Sequence, residues 1–215
     1  MTSILANVTA MSASRQLNIT SAGMQQTIER LTTGKRINRA SDDAAGLTNA
    51  DQFDAEARLA NQNVQTDNNN FFAAQASDGY LSEATTQVQR LVELYAGGNG
   101  SSSEATSVLA NANNAMTKAG SGTLTISSLA TATAALATID AARSGFAATM
   151  ATNQSAANLS GIEAENATAQ KSNVMDANIG NEVVNLTKWQ ILSQAGTSAL
   201  SSANSSSQYV LALFR

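Results

Sequence analysis

The sequence predicts a mainly α protein: an elongated antiparallel helical bundle with a coiled coil formed by its two ends and one small hairpin. Three observations point there. The chain has 215 residues and no Pro, and Pro is the residue that most strongly breaks a helix, because it lacks the amide donor and clashes with the preceding turn. Apolar residues recur at spacings of three and four over long stretches, the rhythm of narrow helical seams. Aromatic content is only 4%, while Ala, Ser, Thr and Asn abound, and small side chains suit helices that approach closely rather than a thick globular core.

Residues 3–33 form the first expected helix. Ile4, Val8 and Met11 mark one face, and Leu17, Met24, Ile28 and Leu31 continue it. Gly34 is the expected C-cap. Residues 34–43 read as a connector. Ser41 is the expected N-cap of the next helix, with Asp42 and Asp43 on its first turn, where the dipole favours negative charge. A long helix then runs over 44–95. Ala50, Phe53, Ala57, Ala60, Val64, Phe71 and Ala74 hold one heptad phase, with Asp67 as its polar member. Leu81, Ala84, Val88, Leu91 and Tyr95 resume it after a slip near Asp78 and Gly79, a change that alters supercoiling without ending a helix.

Gly97-Gly98-Asn99-Gly100-Ser101-Ser102-Ser103 is a clear break. A shorter helix follows over about 102–118. Thr123-Leu124-Thr125-Ile126, behind Gly120 and Gly122, gives the hairpin signal near 119–130. Helix returns over 129–173, with Leu136, Ile139, Phe146, Met150, Leu159 and Ile162 as expected core. The last helix spans 176–213, with Ile179, Val183 and Leu186, then Leu192, Ala195 and Ala199, as its apolar stripe.

Composition narrows function as well. The chain has no Cys and no His. That removes disulfides, thiol nucleophiles, imidazole bases and imidazole ligands. No catalytic constellation remains, and no cofactor or metal site is expected. Net charge is −4, so nothing suggests a nucleic-acid surface. No stretch approaches the length of a membrane-spanning helix. The first basic residue is Arg15, so the N-terminus lacks the charged head of a secretory signal peptide.

Two motifs carry a family resemblance. One is Arg30-Leu31-Thr32-Thr33-Gly34-Lys35-Arg36-Ile37-Asn38-Arg39-Ala40-Ser41-Asp42-Asp43-Ala44-Ala45-Gly46-Leu47. The other is Gln190-Ile191-Leu192-Ser193-Gln194-Ala195-Gly196-Thr197-Ser198-Ala199-Leu200, followed by Ala203-Asn204 and the closing Val210-Leu211-Ala212-Leu213-Phe214-Arg215. Together they resemble the two ends of bacterial flagellin, in the right order. Trp189 stands where that family more often has a smaller residue.

The resemblance implies a structural subunit that assembles with itself into the flagellar filament for swimming motility. The alternative is a hook–filament junction protein, whose ends are related. It implies that residues 1–33 and 178–215 form an inner coiled coil, with 34–43 the connector and 44–177 a bundle that lacks large outer domains. Ile4, Val8, Met11, Arg36, Asp42, Asp43, Val183, Leu186, Trp189, Leu192, Leu213 and Phe214 become candidates for subunit contact. It also implies an extracellular location, reached through the flagellar export apparatus without a cleaved signal peptide. Implied partners are an export chaperone for the C-terminal segment and the hook-associated junction and cap proteins.

Plainer readings stand beside several of these. Asp42 and Asp43 read better as a helix start with subunit contacts than as a catalytic or metal pair. Gln89-Arg90-Leu91-Val92-Glu93-Leu94 resembles the flagellin segment seen by a vertebrate Toll-like receptor, through Arg90, Glu93 and Leu94; an ordinary helical face is the other reading. Ser101, Ser102, Ser103, Thr123 and Thr125 are candidates for the O-glycosylation that decorates some flagellins.

Overall fold

The computed structural model describes residues 7–213, with side chains described for 7–205. Its elements are α1 (Val8–Thr33), α2 (Ala44–Ala96), α3 (Ser103–Lys118), α4 (Leu129–Met175) and α5 (Ile179–Leu213). Among the described residues there is no strand, only an isolated antiparallel bridge between Lys35 and Asp176.

Side chains mark where the helices begin. Asn7 caps α1 by accepting from the Ala10 amide, and Ser102 caps α3 by accepting from Ala105. Ser128 and Thr131 bond reciprocally at the start of α4, with Ser128 N donating to Thr131 Oγ1 at 2.9 Å. Asn178 Oδ1 accepts from Asn181 N ahead of α5. These bonds satisfy amides that have no partner inside a helix. Gly34 ends α1 at φ 70, a left-handed conformation that glycine adopts without steric cost.

The start of α2 differs from expectation. Asp43, not Ser41, is its cap, accepting from Gly46 N at 2.8 Å. Asp42 and Asp43 precede the helix rather than sitting on its first turn. Asp42 instead closes the connector, its Oδ2 accepting from both Asn38 N and Arg39 N at 3.1 Å.

The chain divides into two compact units, residues 1–54 with 168–215, and residues 55–167. In the second unit, the upper half of α2 packs with α3 and the start of α4. Leu81, Val88 and Leu91 of α2, Met116 of α3 and Ile139 of α4 are almost fully buried. Further down α2, the seam follows the expected heptad: Ala57, Ala60 and Ala74 are buried, and Val64, Asp67 and Phe71 are half-buried between them. The seam of α4 is lined by Ala157, Ser160, Ala164 and Ala167. Leu159 and Ile162, expected in the core, are exposed instead, because the small residues hold the inward positions. Arg143 Nε donates to Asp78 Oδ1 at 2.8 Å across these helices.

The expected hairpin near 119–130 is absent. Residues 121–127 take no regular secondary structure, and side chains rather than a second strand hold them. Asn113 Oδ1 accepts from Leu124 N at 2.6 Å while its Nδ2 donates to Leu124 O at 3.2 Å. The Tyr95 hydroxyl donates to Ile126 O. Ile126 is buried and Leu124 half-buried, so the period-two pattern is real but its partner is helical.

In the first unit, α1 packs on α5. Ile37 of the connector, Ala50 and Met175 form a small core. Arg36 N donates to Met175 O and Ala177 N to Gly34 O. These bonds tie the connector to the short link between α4 and α5.

Candidate functional site in the paired terminal helices

The seam between α1 and α5 is built from small and polar residues. On α1, Thr20 and Thr27 are buried, and each hydroxyl bonds back to its own helix, to Gln16 O and Gly23 O. On α5, Glu182 is buried and bonded to Arg30 at 3.3 Å. Trp189 lies so close to Gly23 that a Cβ on Gly23 would stand 2.8 Å from its ring. Leu17 approaches Gly196 in the same way, and Asn7 Nδ2 donates to Ala203 O at 2.9 Å. The contacts share one antiparallel register.

Many of the large aliphatic residues take the other positions. Val8, Met11, Ile19 and Ile28 of α1 are exposed, Val8 at 69%. So are Ile179, Val183, Val184, Ile191 and Leu192 of α5, Ile191 at 68%. This corrects the expected seam. Leu17, Met24, Leu31 and Leu186 do face inward in part, but Val8, Met11, Ile28, Ile179, Val183, Leu192, Ala195 and Ala199 do not. The pairing is rotated so that close-approaching small residues meet. Two helices then carry apolar faces that the described residues of this chain leave uncovered.

Of the residues expected at subunit contacts, Val8, Met11, Val183 and Leu192 therefore stand free, while Leu186 and Trp189 belong to the seam within the chain. Ile4 and Phe214 lie outside the described residues, as does the side chain of Leu213. In the connector, Arg36 donates to Val174 O at 3.0 Å and lies 3.9 Å from Asp43. The two backbone donors from Asn38 and Arg39 hold the Asp42 carboxyl below its ordinary range. A Cβ at Gly46 would force the Ile37 side chain and the Asp43 carboxylate to move. Among the described residues, no three acidic or other ligating side chains gather as a metal site.

Arg90 is held between Glu93 at 2.9 Å and Glu104 at 2.8 Å. Bonding to Glu104 first, and then to Glu93, raises the Arg90 pKa further. Leu94 does not share their surface; it is buried in the core of the second unit. Ser101, Ser103, Thr123 and Thr125 are exposed, while Ser102 is half-buried and engaged as the α3 cap.

Sequence reasoning passed over Arg30–Glu182 and Gly23–Trp189. A signal for the second was present. An interior glycine costs a helix about 1 kcal/mol relative to Ala, so one retained in α1 marks a close approach, and the single Trp is the bulkiest group available to make it.

Paired helices with a small-residue seam and outward apolar faces define a structural, self-associating helical protein. Known proteins agree. The description "Bacterial flagellin N-terminal helical region" matches residues 4–128, and "Bacterial flagellin C-terminal helical region" matches 129–214. The chain belongs to the bacterial flagellin family.

It is 30% identical to Flagellin FlaB1 of Treponema pallidum, across 97% of this chain and 98% of that protein. It is 29% identical to the flagellar filament 30.7 kDa core protein of Treponema maltophilum, across 96% and 98%. It is 40% identical to Polar flagellin A of Vibrio parahaemolyticus, over 46% of this chain and only 27% of that longer protein. The family is structural and not enzymatic, so the chain is a structural subunit of the flagellar filament, an extracellular polymer. These relatives do not favour the hook–filament junction alternative. No helix among the described residues is long and apolar enough to cross a membrane.

Proposed function

We propose that this subunit polymerises through the outward faces of α1 and α5, with the connector residues Arg36, Asp42 and Asp43 adding polar contacts between copies. The observation that carries the reading is the row of uncovered aliphatic residues: Val8, Met11, Ile19 and Ile28 on one helix, Val183, Val184 and Ile191 on the other. Burying one such side chain is worth about 1.5–3 kcal/mol. The α1–α5 pair cannot cover them itself, because its seam is already occupied. Other copies of the chain supply the missing cover.

The same reading takes the subunit through the flagellar export apparatus without a cleaved signal peptide. An export chaperone binds the C-terminal segment that includes Leu200, Val210, Leu213 and Phe214. Hook-associated junction and cap proteins bound the filament. Recognition by a Toll-like receptor falls to Arg90 and Glu93, since Leu94 is buried; outer glycosylation falls to Ser101, Ser103, Thr123 and Thr125.

The test is polymerisation of purified full-length chain carrying Val8→Ser with Met11→Ser, or Val184→Ser with Ile191→Ser. Monomer circular dichroism is expected to stay unchanged, while the critical concentration for filaments rises by at least about tenfold, the equivalent of about 1.4 kcal/mol. Filaments growing at the wild-type concentration from both variants reject the proposal.

A further inference from the structure

The α1–α5 seam has a weakness that its own composition creates. Ala13, Thr20 and Thr27, one heptad apart, present nearly equal small surfaces along α1. A seam of this kind specifies register poorly, because sliding by one heptad replaces one small residue with another. Coiled coils normally settle register with a few distinctive side chains. Here the distinctive contacts are Trp189 on Gly23, Leu17 on Gly196 and Glu182 with Arg30.

We propose that Gly23 and Trp189, supported by Arg30 and Glu182, determine the register in which this chain's two ends pair. Each contact is specific to the observed alignment. A one-heptad slide sets Trp189 opposite Gln16 or Arg30, both of which carry a Cβ where the ring now lies against bare backbone. The ring tolerates no side chain there: a Cβ at Gly23 stands 2.8 and 2.9 Å from two of its atoms. Lys188 covers the indole from its own helix, with Nζ 5.2 Å from the ring centroid.

The slide toward Gln16 sets Glu182 opposite Gly23, the slide toward Arg30 sets it opposite Ile37 of the connector, and either leaves the buried carboxylate without its guanidinium. Breaking such a pair costs far more than forming it contributes. Arg30 also keeps a buried Nε with no hydrogen-bond partner. The pair is therefore a poor source of stability and a good discriminator between alignments.

The inference rests on the reading that the paired ends build the filament, but its test does not. The chain has no Cys, so engineered pairs report alignment cleanly. Ala13→Cys with Leu200→Cys reports the observed register, bracketed by the 7–203 and 17–196 contacts. Ala13→Cys with Ser193→Cys reports a slide of one heptad. Each pair is oxidised in the full-length chain, as filament and as soluble subunit, where oxidation traps the register of the fraction of subunits whose ends are paired.

In the native background only the first pair is expected to cross-link. With Trp189→Ala, the ratio of the first product to the second is expected to fall by about tenfold. An unchanged ratio overturns the proposal. A second arm covers the case in which Trp189→Ala simply unfolds. Gly23→Leu is expected to lose the first cross-link, although Leu favours helix over Gly by up to about 1 kcal/mol. Combining Gly23→Leu with Trp189→Ala is expected to restore it, because the leucine then occupies the space of the ring. Gly23→Leu with a native cross-linking pattern, or a double variant with no recovery, rejects the complementarity. Filaments that fail to form while the register stays native count against the assembly reading and leave the register assignment standing.

Discussion

Single residues in the connector do local work that their sequence context only half revealed. Asp42 and Asp43 look like a matched pair, yet the structure gives them separate tasks. Asp43 caps α2 through Gly46 N, while Asp42 closes the preceding turn on two backbone amides. Hydrogen bonding to the charged form lowers the Asp42 pKa. Its contribution to stability is therefore present above the ordinary carboxylate value of about 3.9 and is lost as pH falls through the lower folded-state value. Asp42→Asn keeps an acceptor oxygen but removes the charge. The native chain is expected to melt above this variant at neutral pH, and the difference is expected to close as pH drops below about 4. Melting curves of both proteins across that range check it. A difference that persists fully in strong acid contradicts the assignment.

At the scale of elements, much was readable because helix ends and the α2 seam depend on local chemistry. Gly34 and the Gly97–Gly98 break are signals that act within a few residues. The α2 heptad from Ala50 to Ala74 was equally readable, since each position meets the same kind of neighbour. Rotation about a helix axis was not readable. Leu159 and Ile162 looked like core by type, and Val8 and Ile179 looked like seam. The close approach of small residues turned them all outward. The irregular segment after α3 shows a related limit. Thr123-Leu124-Thr125-Ile126 read as a hairpin signal, but nothing local revealed that Asn113 bonds to Leu124 in place of a second strand. Asn113→Ala is expected to remove both bonds to Leu124 and to destabilise the chain by about 1–3 kcal/mol, the cost of unmade buried hydrogen bonds. Amide exchange is expected to accelerate over residues 121–127 while helix content stays constant. Unchanged exchange in that segment removes the role assigned to Asn113.

Across the whole molecule, the two units differ in how far their apolar residues are covered by the chain itself. The unit of residues 55–167 has a continuous core from Leu81 to Ile139. Among the described residues the other has a small core around Ile37, and in its terminal pair buried Thr20 and Thr27 alternate with Leu17, Met24, Leu31, Leu186 and Trp189, which are half-buried. Helices with so little tertiary cover are marginal in water. Ordering them costs roughly 1–2 kcal/mol per residue in backbone entropy, and only contact with other copies offsets that for the outward faces. The expected consequence is graded protection. In the soluble subunit, amides of α1 and α5 should exchange fast while those of α2 to α4 within 55–167 exchange slowly. In the filament both sets should be slow. Trp189, the single Trp, reports the same step, and its emission is expected to move to shorter wavelength on polymerisation as water leaves the Gly23 contact. Hydrogen exchange read by mass spectrometry, on subunit verified as monomeric and on filaments, decides the matter. Strong protection of both ends in the monomer means that α1 and α5 are stable before assembly, and the coupling of their ordering to polymerisation is then wrong.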